Sequence, residues 1–342
     1  MYKTKFIDVS RWEKVVHYHT MGTRNKSILT SLQGDVFYFK KSLLKPNKDY
    51  RYEFWSEIIA SQIGHSLGFD VVLYNVAYFK NEIGCISKSI IDINNEELIE
   101  GYRYIVEKYP DFQDNFRKGH SFQKIIGALK KLGLNHCIQS VIKMIIFDAI
   151  IGNADRHSEN WAVVISNKKL KEVISIVEKL PQFQKWIFQF KLFLRTKGRV
   201  TMSKVHKNFK KQFYNFSPLY DNGSSLGREL GSKKIDELMN RDDEFRKFIN
   251  KGKPDIRWNN RNLNHFELVR TLNIDYPKEV GDIITEIRNK YNKKILENIV
   301  NGIDKKTPKQ FLEYKIPQKR KEFIIKYIDS RIKILIDSNE QI

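Results

Sequence analysis

The sequence is poor in cysteine and has no long uninterrupted apolar run. With only Cys85 and Cys137 among 342 residues, neither a disulfide framework nor a thiolate zinc site is predicted. Lys, Arg, Glu or Asp interrupts every long apolar stretch, so no membrane span is expected. The first residues, MYKTKFIDVSRWEK, contain neither the apolar region nor the cleavage site of a signal peptide. These absences favour a protein of a reducing compartment, either cytoplasmic or exported as an effector without a cleavable signal peptide.

Acidic residues are in the minority, 40 against 61 Lys and Arg, which gives a formal net charge of +21. The positive excess is densest in residues 168–211 and 317–333. Such a charge suits nucleic acid, another anionic partner or a polyphosphate-binding site. An A/T-rich genome that favours Lys, Asn and Ile codons explains it equally well, so charge alone does not decide the class of function.

The N-terminal part of the chain has the pattern of a small sheet with one helix. Residues 29–41 read as a hairpin, and residues 69–79 and 84–91 read as strands because β-branched and aromatic residues are frequent there. Residues 53–67 repeat apolar positions at intervals of four, which predicts a helix. Gly68 follows as the expected C-cap of this helix.

The remainder of the chain is predicted to be mainly helical. Residues 138–151 are apolar nearly all round, which indicates a buried helix. Apolar stripes over residues 280–295 and 325–335 predict two amphipathic helices near the end. The sequence shows no internal repeat and no low-complexity linker. An α+β fold with a β-rich lobe over 1–92, a helical lobe over 93–342 and a cleft between them is therefore predicted.

The stretch IIGNADRHSENWAVV, residues 151–165, combines several polar side chains at a junction between a predicted helix and a strand. Asp155 could accept the proton of a hydroxyl that attacks phosphorus, and the amide oxygen of Asn160 could bind a Mg²⁺ on nucleotide phosphates. His157 could hold the loop by hydrogen bonds. A polar turn capped by Asn and Asp is the alternative interpretation.

A second candidate metal ligand is Asp221, in the stretch SPLYDNGSSLGREL. The residue follows a short strand-like segment and precedes the turn signal Asn222-Gly223. Mg²⁺ sites for phosphate transfer use one or two carboxylates together with phosphate oxygens. A plain Asn-Gly turn is the alternative, and the presence of Asp155 and Asn160 favours metal binding.

Lys40 and Glu57 form a candidate pair for holding phosphate. Lys40 ends the predicted strand VFYFK, and Glu57 lies on the helix that follows it. A lysine that contacts phosphates is commonly oriented by a carboxylate from a neighbouring helix. Lys41 and Glu53 are alternatives for the two positions, and surface placement is the alternative for each.

The stretch HYHTMGTRNKSILT, residues 17–30, offers backbone N–H groups and cations to phosphate around Gly22, Thr23 and Lys26. It is not a Walker A loop, because Asn25 stands where that motif requires a second glycine. Taken alone this signal is weak, and its value is that it precedes the hairpin bearing Lys40.

The order of these elements resembles the HipA-like Ser/Thr protein kinases over about residues 15–335. The eleven-residue step from Glu57 to Gly68 matches the family's helix and favours Glu57 over Glu53. The segments EVGDIITEI and RKEFIIKYIDSRIKILI are similar to the family's C-terminal helices. The roles that the resemblance implies are phosphate binding for Lys40, its orientation for Glu57, catalytic base for Asp155, and Mg²⁺ ligands for Asn160 and Asp221.

The resemblance implies a two-lobed fold like that of protein kinases and phosphoinositide kinases, with ATP and Mg²⁺ as cofactors. Adenine is expected at the segment joining the lobes, around Ile86, Ser87 and Ser89. The acceptor is expected to be a Ser or Thr of a protein substrate, with a toxin or effector role for the enzyme. The motif at Asp155 comes early, which predicts a compact member without an extra N-terminal subdomain. This argues against a HipB-type antitoxin, although an antitoxin remains a candidate partner.

Two further departures from the family pattern concern phosphorylation and an insert. His19 stands at the serine that the full-length toxin phosphorylates in its own phosphate loop, so autophosphorylation would have to use Thr20, Thr23 or Ser27. The long interval between Asn160 and Asp221 predicts an inserted basic helical element over 166–213. This element is either a solvated decoration or a surface for substrate docking or membrane contact.

Two alternative functions stay open. The D-R-H-x-x-N motif also occurs in phosphoinositide kinases, so the acceptor could be a lipid or a small-molecule hydroxyl. The basic insert would then contact an anionic membrane. A nucleic-acid-binding pseudokinase is the other alternative, and nucleic acid is the less favoured partner because every catalytic residue type is present.

Overall fold

The computed structural model describes residues 4–15, 26–42, 44–45, 48–115, 119–167 and 213–340. The chain divides into two compact units, and each unit is drawn from separate stretches of sequence. The first unit contains residues 1–89, 142–157 and 218–342, and the second contains residues 90–141 and 158–217.

The described residues up to 89 of the first unit contain eight strands, which are β1 (Phe6–Asp8), β2 (Glu13–Lys14), β3 (Lys26–Thr30), β4 (Val36–Lys41), β5 (Leu44–Lys45), β6 (Lys48–Asp49), β7 (Asn75–Phe79) and β8 (Glu82–Lys88). Six of them form a sheet in the order β1-β7-β8-β4-β3-β2, in which only β1 and β7 run parallel. β5 and β6 form a separate two-stranded ribbon. The predicted hairpin at 29–41 is confirmed, with Gly34 at φ +84° in its turn. The predicted strand over 69–79 is regular only from Asn75 onward.

One face of the six-stranded sheet carries an apolar core. Successive side chains of a strand point to opposite faces, so Phe37 and Phe39 of β4 enter this core while Tyr38 and Lys40 point away from it. The fully buried members of the core are Val9, Leu29, Phe39, Ala77, Phe79 and Ile86. The alternation along one strand therefore decides which side of the sheet receives the lysine.

The structure describes ten α-helices, which are α1 (Glu53–Leu67), α2 (Gly101–Lys108), α3 (Phe122–Lys131), α4 (Ile138–Ile151), α5 (Ser232–Asn240), α6 (Asp242–Lys251), α7 (His265–Asp275), α8 (Pro277–Lys290), α9 (Lys293–Gly302) and α10 (Gln318–Glu340). Short 3-10 turns cover Pro110–Asn115, Asn135–Cys137 and Lys309–Tyr314. α1 packs against β8 and against α8 and α9, all within the first unit.

The helix predicted over 53–67 is confirmed, and it ends at Gly68 as predicted. Gly68 adopts φ +85°, and its N–H lies against the carbonyls of Gly64 and His65. Glycine suits this left-handed position because it has no Cβ to clash. The interior of α1 is almost entirely buried, including the polar residue Glu57. A carboxylate inside such a helix requires a partner.

The helix predicted over 138–151 is confirmed as α4, and the stripe over 325–335 lies within α10. The single helix predicted across 280–295 is wrong, because α8 ends at Lys290 and α9 begins at Lys293. Tyr291 is extended, with φ −69° and ψ 126°, and the Asn292 side chain accepts the Lys294 N–H to start α9. The apolar repeat continues across the break between the two helices, so it did not indicate that Asn292 caps a new helix.

Among its described residues, the second unit contains a three-stranded antiparallel sheet in which β10 (Ala162–Ser166) lies between β9 (Glu96–Glu100) and β11 (Tyr214–Phe216). α2 and α3 pack together in the same unit. The strand predicted after residue 160 is therefore confirmed. Except for residues 166, 167 and 213, the predicted basic element over 166–213 lies outside the described residues. No described helix has the length and apolar character needed to cross a membrane.

Candidate active site

Lys40 lies in β4 on the face of the sheet opposite the apolar core, and it meets two carboxylates there. Its Nζ is 3.0 Å from Glu57 Oε1 on α1 and 3.0 Å from Asp221 Oδ1 in the loop before α5. All three residues are buried, with exposures of 8%, 2% and 7%. Three residues that are distant in sequence therefore form one buried ionic cluster.

The alternatives considered for this pair have other partners. Lys41, which follows Lys40 on β4, is exposed and its Nζ is 2.6 Å from Glu82 Oε1. Glu53, one helical turn before Glu57, forms an ion pair with Arg228. Strand alternation separates the two lysines, and one turn of α1 separates the two glutamates. The structure thus brings together Lys40 and Glu57.

The charge of Lys40 is stabilised by its surroundings. Burial by itself lowers the pKa of Lys40, but the carboxylates of Asp221 and Glu57 more than offset this and hold it well above its ordinary value. Burial, followed by the charge of Glu57, raises the pKa of the neighbouring Tyr74 and Cys85. At neutral pH the cluster therefore contains a lysine ammonium beside a neutral phenol and a neutral thiol.

The loop carrying Asp221 is held against α1 in a strained conformation. Asp221 has φ +56°, in the left-handed region that side chains disfavour. The Asn222 N–H donates to Glu57 Oε2 at 2.8 Å, so both oxygens of Glu57 are engaged. A Cβ on Gly223 would lie 3.1 Å from Glu57 Cγ, so glycine permits the close approach. Glu57 therefore contacts both Lys40 and the loop of residues 220–225, which we call the metal-candidate loop.

A buried arginine connects this loop to the end of α4. Arg156 Nη2 donates to Asn222 Oδ1 at 2.7 Å, and its Nη1 donates to the Tyr220 carbonyl. The same guanidinium donates to both oxygens of Asp148, from Nη2 at 2.7 Å and from Nε at 3.0 Å. Burial lowers the pKa of Arg156 and the Asp148 carboxylate raises it, with a net increase. The arginine thus stays charged within the protein interior.

Asn153 completes a polar connection from Lys40 to Asp155. Its side-chain N–H donates to Asp148 Oδ1 at 3.1 Å, and its Oδ1 accepts the Asp155 N–H at 3.1 Å. Asn153 is fully buried, whereas Asp155 is half-buried. The sequence assigned no role to Asn153. The structure shows that it fixes the backbone from which the Asp155 carboxylate projects.

Sequence reasoning did not identify Asp148, Arg156 and Asn222 as site residues. His157, which was predicted to hold the loop, is half-buried in the same segment. The buried hydrogen bonds described above come from its neighbour Arg156. Asp148 could have been recognised from the sequence, because it is an acidic residue inside the otherwise apolar helical segment IIFDAII. A carboxylate in such a helix requires a buried partner, for which Arg156 was available nearby.

Asp155 also contacts the metal-candidate loop through a side chain. Ser224 Oγ donates to Asp155 Oδ2 at 3.1 Å, and both residues are half-buried. Ser224 lies three residues after Asp221. The loop therefore contacts Lys40 at one end and Asp155 at the other.

The candidate nucleotide-binding residues divide between the two faces of the sheet. In the register of the strands, Lys26 and Lys40 are partners, and Ser87 lies on the same face as Lys40. Ile86 is buried in the core on the opposite face, so any contact with a nucleotide there would have to use its main chain. Ser89 follows β8, and its N–H donates to the Val36 carbonyl at 2.8 Å. Gly22 and Thr23 lie outside the described residues.

Asn160 lies in the second unit, buried in the loop before β10. The loop is held by the first residues of α2: Gly101 N–H donates to the Trp161 carbonyl and Tyr102 N–H to the Ser158 carbonyl, both at 2.8 Å. A Cβ on Gly101 would overlap the Trp161 ring. The D-x-H-x-x-N motif thus begins in one compact unit and ends in the other.

The candidate Mg²⁺ ligands, Asp221 and Asn160, belong to different compact units. No group of three or more His, Cys, Asp or Glu side chains within the described ranges could hold a metal. Mg²⁺ often takes only one or two carboxylates from the protein and completes its shell with phosphate oxygens and water. The buried carboxylate of Asp221 in the first unit and the buried amide of Asn160 in the second unit are each, taken singly, an oxygen donor of this kind.

Replacing Gly152 with Ala should destabilise the protein by about 2–4 kcal/mol, the sum of left-handed strain and overpacking. Gly152 ends α4 with φ +66°, and a Cβ there would overlap the Tyr327 hydroxyl. Denaturant unfolding followed by circular dichroism measures the change.

Gly281→Ala is the matched control for this prediction. Gly281 lies inside α8 with φ outside the left-handed region and open space around its Cα. Alanine is favoured over glycine inside a helix by about 1 kcal/mol, so this variant should be stabilised. Equal effects of the two substitutions would contradict the account of how α4 ends.

Comparison with known proteins identifies the fold of the chain. No protein-family model and no curated protein sequence matches the chain. Among solved structures, it is similar to the Helicobacter pylori proinflammatory kinase CtkA, with a TM-score of 0.70 and 17% identity over 98% of each chain. It is also similar to a chain of the Shewanella oneidensis MR-1 toxin–antitoxin complex of HipA, HipB and operator DNA. That match has a TM-score of 0.45 and 9% identity, and it covers 90% of this chain and 57% of that one.

At 17% identity, the likeness to CtkA is one of fold. The chain therefore has the α+β, kinase-like fold that its resemblance to compact HipA-like kinases predicted.

Proposed function

We propose that the chain is an ATP- and Mg²⁺-dependent Ser/Thr protein kinase of HipA-like type. The observation that carries the proposal is the buried cluster of Lys40, Glu57 and Asp221, together with its connection to the loop of Asp155. A structural ion pair would need only one carboxylate for the lysine. Here two carboxylates, a strained turn and a half-buried aspartate are brought together on one buried network. The fold shared with a kinase supports the same conclusion.

In this proposal the Lys40 ammonium donates hydrogen bonds to nucleotide phosphate oxygens, and Glu57 keeps it oriented. Lys26, with the Gly22 and Thr23 segment, would add positive charge and backbone N–H groups to the phosphates. Ser87 and Ser89 would lie at the adenine end, as the resemblance implies. The two-lobe division, with one lobe over 1–92 and the other over 93–342, remains part of the proposal.

Asp155 would accept the proton of a Ser or Thr hydroxyl as the hydroxyl oxygen bonds to the γ-phosphorus. The bond from that phosphorus to the bridging oxygen of ADP breaks in the same step, and ADP leaves with the electron pair. Asn160 and Asp221 would hold the Mg²⁺. A bound Mg²⁺ would neutralise the charge on the β- and γ-phosphate oxygens. His157 would support the loop around the base.

Incubation of the purified chain with labelled ATP tests the proposal. With Mg²⁺ present, label should appear on Ser or Thr residues of the chain or of an added protein acceptor, and EDTA should abolish it. Parallel reactions contain phosphoinositide vesicles, whose labelling would instead support the lipid-kinase alternative. Absence of ATP turnover, together with nucleic-acid binding that weakens steeply with salt, would support the pseudokinase alternative.

Mass spectrometry of the same reaction tests where the chain phosphorylates itself. Ser27 pairs with Phe39 in the β3–β4 register and so lies on the core face of the sheet, away from Lys40. This placement favours Thr20 or Thr23, which lie outside the described residues. A toxin or effector role, an antitoxin partner and membrane contact by residues 166–213 remain predictions from the sequence.

A further inference from the structure

We propose that Ser224 is a positioning residue for Asp155, holding one carboxylate oxygen so that the other is directed to the acceptor hydroxyl. The inference rests on the proposed kinase function and concerns the same site. Its geometric basis is the hydrogen bond from Ser224 Oγ to Asp155 Oδ2, at 3.1 Å.

The backbone that carries Ser224 is held by hydrogen bonds from the two residues that follow it. Ser225 Oγ donates to the Asn222 carbonyl at 2.5 Å, and Leu226 N–H donates to the Ile151 carbonyl at 3.0 Å. Leu226 is buried and has φ +58°, so the loop turns sharply onto the end of α4. The donor is therefore held by the same helix end from which the segment of Asp155 departs.

Asp155 differs from the other carboxylates of the site in its exposure. Asp148, Glu57 and Asp221 are buried, whereas Asp155 is half-buried. Asn153 fixes the backbone N–H of Asp155 but leaves the side-chain torsions to other contacts. A hydrogen bond from Ser224 to the carboxylate restricts those torsions and selects which oxygen receives the proton. Catalysis is sensitive to such placement, because an error of about 1 Å can cost on the order of a hundredfold in rate.

The same geometry distinguishes Ser224 from an acceptor. A substrate hydroxyl must also approach Asp155, but it must reach the γ-phosphorus as well. Only two residues separate Ser224 from Asp221 in the same loop, and the neighbouring Ser225 Oγ donates to the Asn222 carbonyl. We therefore expect Ser224 to remain unphosphorylated during turnover.

The test is a graded series at position 224 in the full-length chain. Ser224→Ala removes the donor, Ser224→Cys leaves a weaker donor, and Ser224→Thr keeps the hydroxyl. We expect kcat to fall about 10- to 100-fold in the Ala variant, to an intermediate value in the Cys variant, and to stay within a few-fold of wild type in the Thr variant. KM for ATP should be unchanged throughout. Ser66→Ala is the matched control, because Ser66 is also half-buried and its hydroxyl donates to the Ile63 carbonyl at 2.8 Å.

Each result supports or overturns the role. Wild-type kcat in Ser224→Ala, a loss confined to KM for ATP, or equal losses in all three variants with normal melting would overturn it. Phosphate found on Ser224 of the wild-type chain would overturn it as well. If Ser224→Ala does not fold, the other two variants decide. A higher kcat in Ser224→Thr than in Ser224→Cys supports the role, and an equal or lower kcat overturns it. An inactive wild-type chain would instead contradict the proposed function itself.

Discussion

Replacing Asp155 with Asn should lower phosphate transfer by about 10²- to 10⁴-fold, the range that a general base contributes. The amide cannot accept the hydroxyl proton, although it can still accept the hydrogen bond from Ser224 Oγ. Nucleotide binding should change little, because Lys40, Glu57 and Asp221 form their cluster without Asp155. Labelled-ATP transfer gives the rate, and fluorescence titration with a nucleotide gives the dissociation constant.

Asp282→Asn makes the same chemical change on an exposed residue of α8 and serves as the control. Both variants should melt within a few degrees of the wild type. Transfer by Asp155→Asn within tenfold of the wild type would show that another group accepts the proton. A parallel loss of nucleotide binding would show that Asp155 acts in binding instead of in the transfer step.

Replacing Arg156 with Met should have the largest effect on stability. Removing one partner of a buried ion pair costs about 3–5 kcal/mol, because the remaining charge is left without compensation. Arg156 is fully buried and bonds both oxygens of Asp148, which is 1% exposed. A loss of this size should lower the melting temperature on the order of 10 °C in a domain of this size. Differential scanning calorimetry measures it.

The double variant Asp148→Leu, Arg156→Met separates stability from site geometry. Removing both charges should recover part of the stability, since no unpaired charge remains. Phosphate transfer should stay low, because Arg156 no longer holds the Asn222 side chain and the Tyr220 carbonyl. A double variant with wild-type transfer would show that the connection between the two loops has no catalytic importance.

Lys321→Met is the control at a second buried pair. Lys321 Nζ is 2.5 Å from Asp304 Oδ1, and the other oxygen of Asp304 accepts the Ile316 N–H at 2.9 Å. This variant should also melt earlier, but its transfer rate per folded molecule should match the wild type. Equal losses of transfer in Lys321→Met and Arg156→Met would mean that stability alone explains both.

Much of the local structure could be predicted because its causes are local. α1 and α4 follow from apolar periodicity, and Gly68 ends α1 because only glycine readily adopts the left-handed conformation there. The β3–β4 hairpin follows from two β-prone segments around Gly34. The same reasoning failed at residues 291–292, where an apolar stripe continued across two helices and the Asn292 cap had the deciding effect.

The choice between neighbouring candidates depended on contacts that are distant in sequence. Lys40 and Lys41 are equivalent by residue type, as are Glu53 and Glu57. Asp221, which is 181 residues from Lys40, distinguishes the two lysines by its contact with Lys40. The units of the fold are likewise built from separated stretches, and the chain passes between them within the D-x-H-x-x-N motif.

The sequence by itself determined the class of fold, the main helices and the polar residue types of the candidate site, because these follow from short-range periodicity and residue chemistry. Only the tertiary structure decided that Asn153, Asp148, Arg156 and Asn222 connect Asp155 to Lys40. The physical reason is the cost of burying polar groups. Each of these side chains must find a hydrogen-bonding partner in the interior, and the folded chain alone decides which partner lies within reach.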